Sequence, residues 1–338
     1  MNIPPLCSPL DPTAPIWAVP TLTLREKDYF KRAIVMIAAV DEFTGELEGL
    51  GSGFLINAEG EGVVSTASHV IMDWVNRVHP RAGNYVYGLE EPTDEANRRL
   101  GALWNRKLLR VLFNPPPPGI PRICTVDGVQ IGLDPMERDA AILFFPFPRE
   151  LWDFDFQVLP IDTDAIGIDE TVIVAGYTGM NFVTERTGPN VVLHSSHKMV
   201  FRACRVTTPA ERAGLIRGDL PMLRANVPLD HGMSGGPLIR VRHPLGPRPQ
   251  IIGDRHPALF TASGINSSGW YPDVLAGDAP EGVSWITPLE SILDMAIRSP
   301  IGTLHLRAEI EARRFVSYAS IRDDLIAGRP VMGESGSM

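Results

Sequence analysis

The sequence predicts an all-β fold, either a sandwich or a pair of barrels. Short apolar runs recur along most of the chain, each closed by turn residues. Glycine and proline each number 31 among 338 residues, a composition that favours turns and short strands. Helical spacing becomes visible only beyond about residue 287.

The elements follow in order. Residues 1–27 read as an extended, proline-punctuated arm. Ala33–Val40 is an apolar run closed by Asp41-Glu42 and Gly45, a buried strand. Gly53–Ile56 and Gly62–Thr66 read as strands joined across Asn57-Ala58-Glu59-Gly60. Leu108–Phe113, Ile123–Val126 and Ala140–Phe145 continue the rhythm, with a stiff Pro115–Pro118 loop between the first two. Thr171–Ala175, Val191–Leu193, Met199–Val206, Pro237–Val241 and Leu259–Ile265 supply the later strands. Thr287-Pro288-Leu289-Glu290 carries the signature of a capping box, so a helix is predicted through Ile297. A second helix is predicted from about Leu304 to Ala327, with Glu309 and Arg313 paired, ending at Gly328-Arg329-Pro330.

Length and charge narrow the function. A chain of this size suggests about two domains and needs neither metal nor disulfide staples to hold a core. The 31 basic against 40 acidic side chains leave a formal charge of -9. That charge disfavours a nucleic-acid backbone or an anionic membrane as partner. Cys7, Cys124 and Cys204 are sparse, odd in number and far apart, which points to reduced thiols and a cytoplasmic protein. The proline-rich N-terminus lacks the basic and apolar regions of a secretory signal, so Asn266-Ser267-Ser268 is expected to be idle as a glycosylation acceptor. No phosphate-binding loop is present. His194 and His197, three apart, have no third ligand at zinc spacing and read as polar surface. No metal or cofactor is expected.

Three segments carry chemistry, in the order His, Asp, Ser. Gly51-Ser52-Gly53-Phe54 precedes Thr66-Ala67-Ser68-His69-Val70. Asp139-Ala140-Ala141-Ile142-Leu143 follows, and then Gly232-Met233-Ser234-Gly235-Gly236-Pro237-Leu238. Each alone has an ordinary structural explanation: a core histidine, a solvated charge, a β-turn. Together they resemble the trypsin/chymotrypsin-like serine peptidases, and more closely the disulfide-free bacterial type, over roughly residues 30–298.

The resemblance implies two six-stranded antiparallel β-barrels with an active site between them, followed here by C-terminal helices. The lobes are then expected at 28–150 and 151–286, after an arm at 1–27 and before helices and a tail at 287–338. It implies a serine endopeptidase acting on a protein or peptide substrate. Ser234 is the nucleophile, His69 the general base, and Asp139 the carboxylate that holds the imidazole. The backbone N–H groups of Gly232 and Ser234 form the oxyanion hole. Asp134 and Asp127 compete with Asp139, because the 70-residue interval from His69 is long and demands an insertion at about 81–119.

By the same resemblance, the substrate pocket would map to Pro228, Ser267, Gly269 and Gly282. Pro228 at its floor does not support strict Arg/Lys cleavage, and a small or medium apolar residue is favoured instead. Ser267 is expected to hydrogen-bond the triad carboxylate, and Asp230 to lie at the rim. No activation N-terminus or PDZ domain is visible, so selection falls to the cleft and to the loops 81–119 and 270–281. A regulatory partner is left unidentified. Other readings are a catalytically silent binding module of the same fold, or an esterase using the same triad.

Overall fold

The computed structural model describes residues 17–41, 43–58, 61–80, 93–105, 108–113, 122–125, 129–131, 139–146, 156–187, 190–210, 222–242, 259–267, 284–293, 296–299 and 302–329. Two curled antiparallel sheets dominate it, with few helices.

The first sheet comprises β2 (Ile34–Val40), β3 (Leu47–Asn57), β4 (Glu61–Thr66), β5 (Leu109–Phe113), β6 (Arg122–Thr125), β7 (Val129–Ile131) and β8 (Ala141–Pro146). Their order is β6-β5-β2-β3-β4-β8-β7. The sheet has seven strands, and its two edges, β6 and β7, are consecutive strands of the chain. Residues 34–39 of β2 are buried, as their unbroken apolar run predicts.

The second sheet comprises β9 (Thr171–Thr187), β10 (Asn190–Ala210), β11 (Met222–Ala225), β12 (Pro237–Arg242), β13 (Leu259–Asn266) and β14 (Ser284–Pro288). It closes on itself, because β9 pairs with both β12 and β10. A short β1 (Trp17–Ala18) adds to β10, with Trp17 opposite Cys204. Along β9 the side chains alternate. Val172 and Val174 join the barrel interior with Cys204, Leu223, Met233 and Ile286. Ile173 and Ala175 join the core shared with the first sheet. The predicted strands at 191–193 and 199–206 are one continuous β10, and the β9–β10 hairpin is longer than the apolar runs alone suggested.

Helix α1 (Leu24–Ala33) occupies residues expected to be extended or strand. Thr23 and Glu26 close a capping box at its start. It threads between the sheets: the Tyr29 hydroxyl donates to Val158 O at 2.7 Å, and Phe30 stacks edge-on against Phe260 with centroids 4.7 Å apart. Phe30 is fully buried. Phe30→Ala is expected to cost about 3–5 kcal/mol of folding stability, read as a lower urea midpoint at unchanged slope.

Two helices of the first lobe, α2 (Ser68–Val78) and α3 (Asp94–Asn105), were not anticipated; α3 falls in the stretch read as an insertion. At the C-terminus, the helix predicted from Leu289 is only a 3₁₀ turn, Leu289–Ile292. Thr287 and Pro288 belong to β14, where they face Ile265 and Gly264, so sheet pairing takes the residues that would have capped a helix. Ile297 lies in β15 (Ala296–Ser299), which pairs with β16 (Gly302–His305). The second predicted helix is split into α4 (Leu306–Glu311) and α5 (Tyr318–Ile326). The break has a cause: Ile161 N donates to Val316 O and Tyr318 N to Ile161 O, which pulls Val316–Tyr318 onto the interlobe segment. Arg313 therefore pairs with Asp324 rather than Glu309, and Glu309 pairs with Arg314. Gly328, at φ 66°, ends the described chain's last helix as predicted. No described helix is long and apolar enough to cross a membrane.

Candidate active site

His69 stands in the first turn of α2. The first two turns of this helix, Ser68 through Val75 with Asp73 excepted, are buried on nearly every side. Its N-cap, Ala67, has no side chain able to cap, and the helix N-terminus instead receives a carboxylate from far along the chain. Asp139 Oδ1 accepts from the His69 backbone N–H at 3.0 Å and from the Ser68 hydroxyl at 2.9 Å. Its Oδ2 lies 2.9 Å from His69 Nδ1. One carboxylate thus caps the helix and fixes the imidazole.

Asp139 itself has φ 43°, a left-handed conformation uncommon for a side chain other than asparagine, aspartate or glycine. Both partners are nearly closed to solvent, His69 at 7% and Asp139 at 5% exposure. Burial on its own disfavours either charge. For His69 that downward push is outweighed by the charge and hydrogen bond of Asp139, with a smaller contribution from Asp73, so the imidazole pKa is raised. For Asp139 burial pushes up, but His69 and the helix N-terminal donors outweigh it, and the carboxyl stays below its ordinary range. With Nδ1–H donated to the carboxylate, the neutral ring carries its lone pair on Nε2.

Ser234 is half-buried and is the second residue of the later of two tight turns that share Met233. Met233 N donates to Asp230 O at 3.0 Å with Gly232 at φ 96°, and Gly236 N donates to Met233 O at 3.1 Å with Gly235 at φ 83°. Both have the signature of a type II turn, which needs glycine at its third position. The turns press against the segment bearing His69. A Cβ placed on Gly235 would lie 3.1 Å from Ala67 N, and one on Gly51 would lie 2.7 Å from Val70 and 2.8 Å from Ser234 O. The loop is braced from below by Asn266, whose Nδ2 donates to Ala175 O at 3.0 Å and whose backbone O accepts from Gly235 N at 2.8 Å. It is braced from the side by Arg202, which bonds Pro228 O and reaches Asp230 Oδ2 at 2.7 Å.

The structure therefore brings the Gly232–Gly235 turns against β3 and the residue that precedes α2, while His69 at the start of that helix holds Asp139. Pro228 lies six residues before Ser234 with its carbonyl held by Arg202. Ser267 departs from expectation. Its hydroxyl meets Thr287 Oγ1 at 2.8 Å, because the β13–β14 ladder points it at the neighbouring strand, and Ser68 takes the place foreseen for it on the carboxylate. Gly269, Gly282, Asp127 and Asp134 lie outside the described residues. Asp230 is partly exposed and belongs to the ion pair with Arg202. His194 is exposed and pairs with Glu185 at 3.1 Å, as polar surface. Ser68, Arg202 and Asn266 carried no sequence signal, since each acts through a partner tens of residues away.

No protein-family model matches the chain, and no curated protein matches it. Among solved structures it is similar to an HtrA-type protease AlgW with decapeptide, at 13% identity and a TM-score of 0.38. That likeness spans 77% of this chain and 62% of the other. At this level of similarity it assigns neither an activity nor a partner.

Proposed function

We propose that the protein is a serine endopeptidase, with Ser234 as nucleophile, His69 as general base and Asp139 as the carboxylate that orients it. The observation that supports this most is the buried Asp139–His69 pair, set at 2.9 Å beside a double turn that bears a serine. In this reading the Ser234 hydroxyl proton passes to His69 Nε2 while Oγ bonds the substrate carbonyl carbon. The oxygen of the tetrahedral species takes its negative charge to the N–H groups of Gly232 and Ser234. The imidazolium returns the proton to the leaving amine as the C–N bond breaks, and water then hydrolyses the acyl-enzyme by the same route.

A fluorophosphonate probe is expected to label the native protein at Ser234, with labelling abolished in Ser234→Ala. Profiling of new N-termini in a proteome treated with wild type and with Ser234→Ala then defines the cleavage site. Native wild type that resists the probe overturns the proposal. Labelling accompanied by ester but no peptide turnover replaces it with an esterase.

A further inference from the structure

We propose that Ser52 is a positioning residue that holds the oxyanion turn in its working shape. The inference rests on the peptidase reading above and adds to it a residue of the opposite lobe. Ser52 lies on β3 and is fully buried. Every polar position it has is engaged. Its N–H donates to Ser234 O at 2.8 Å, and its carbonyl accepts from the Thr66 hydroxyl at 2.7 Å. Its own hydroxyl donates to Gly232 O at 2.7 Å and accepts from Tyr177 N at 2.8 Å. Ser52 thus grips the two carbonyls on either side of Met233, 180 residues away in the case of Gly232.

Peptide planarity turns those two bonds into control of direction. In a trans peptide the N–H points opposite the C=O. With Gly232 O aimed at Ser52, the following N–H, on Met233, points away and closes the turn on Asp230 O. With Ser234 O aimed at Ser52, the N–H of Gly235 points away to Asn266 O. The Met233 carbonyl between them is taken by Gly236 N. Ser52 thereby anchors both ends of the segment from which the N–H groups of Gly232 and Ser234 project. Only a hydroxyl serves here, because one atom must donate to a carbonyl and accept from an amide at once. Removing it takes a partner from the Gly232 carbonyl and from the Tyr177 N–H in a closed interior, and the turn relaxes to find others.

The test compares wild type with Ser52→Ala and with the near-isosteric Ser52→Cys, a weak donor that keeps the packing if alanine fails to fold. Folding is read from urea midpoints. In the folded variants kcat is expected to fall about 10- to 100-fold with KM within about threefold. Affinity for a peptide aldehyde, which engages the oxyanion hole, is expected to fall in parallel. Affinity for the uncleaved peptide, measured in a Ser234→Ala background, is expected to hold. The pH midpoint of the acid limb is also expected to hold, since Ser52 does not touch His69. A folded variant with wild-type kcat and aldehyde affinity overturns the inference and leaves the peptidase reading standing. So does one in which KM alone rises. Wild type that fails to label with fluorophosphonate sinks the peptidase reading itself.

Discussion

Asp139→Asn is expected to lower kcat about 10⁴-fold while leaving the fold intact. The carboxamide keeps one oxygen to accept from the His69 N–H and the Ser68 hydroxyl, so α2 remains capped. Its NH₂ then faces His69 Nδ1 where Oδ2 stood, 2.9 Å away. Two donors cannot face each other, and the remaining oxygen, 3.1 Å from Nδ1, is already shared by the His69 N–H and the Ser68 hydroxyl, so the ring proton moves to Nε2 and the lone pair needed for Ser234 is lost. The pH profile adds a second readout. Turnover needs neutral His69, so wild-type kcat/KM rises as pH climbs through a midpoint above the ordinary imidazole value of about 6.5. In the variant, burial is no longer opposed by the carboxylate, and the midpoint of the residual activity is expected to shift downward. Stability runs the other way. A raised folded-state pKa stabilises the protein below about pH 6.5, and that contribution fades as pH rises past the raised value. An unchanged profile together with near wild-type kcat excludes Asp139 from the role.

Gly235→Ala is expected to cost about 2–5 kcal/mol of folding stability and to remove activity with it. A Cβ there would sit 2.1 Å from both Ser52 O and the Thr66 hydroxyl oxygen, and φ 83° strains any L side chain. Neither neighbour has room to yield, since Ser52 and Thr66 are fully buried and bonded to each other. Gly328→Ala is the control. It too has positive φ, but nothing stands within 4 Å of the added Cβ, so only the backbone cost of about 1–2 kcal/mol remains. Urea denaturation of the two variants side by side checks the difference. Equal midpoints show that the close approach at Gly235 is not real.

Much of this was legible in the chain, for reasons that differ by element. Buried strands such as Ile34–Val40 declare themselves because both faces are apolar. The contact of Asp139 with His69 was foreseeable because short flanking patterns surround both residues, as one also surrounds the proposed nucleophile Ser234. Helix α1 also had a readable signal in Thr23-Leu24-Arg25-Glu26, hidden by the prolines before it. Helix α2 had none, because its cap comes from Asp139, 70 residues on. The false helix at Leu289 and the split after Glu311 share one cause. Local capping and periodicity were correct as propensities, and pairing with Ile265 in one case and Ile161 in the other overrode them. Ser267 misled for a similar reason, since its direction is set by the β14 strand opposite.

The pairing of Trp17 with Cys204 has a consequence for synthesis on the ribosome. Translation at about 5–20 residues per second separates the emergence of those two residues by roughly ten to forty seconds. For that interval the first strand has no partner to join, and its tryptophan is open to chaperones. The candidate site waits even longer, since Gly232 and Ser234 are made after Cys204. On the proposed reading, the catalytic residues of a growing chain are not all present until Ser234 has been made.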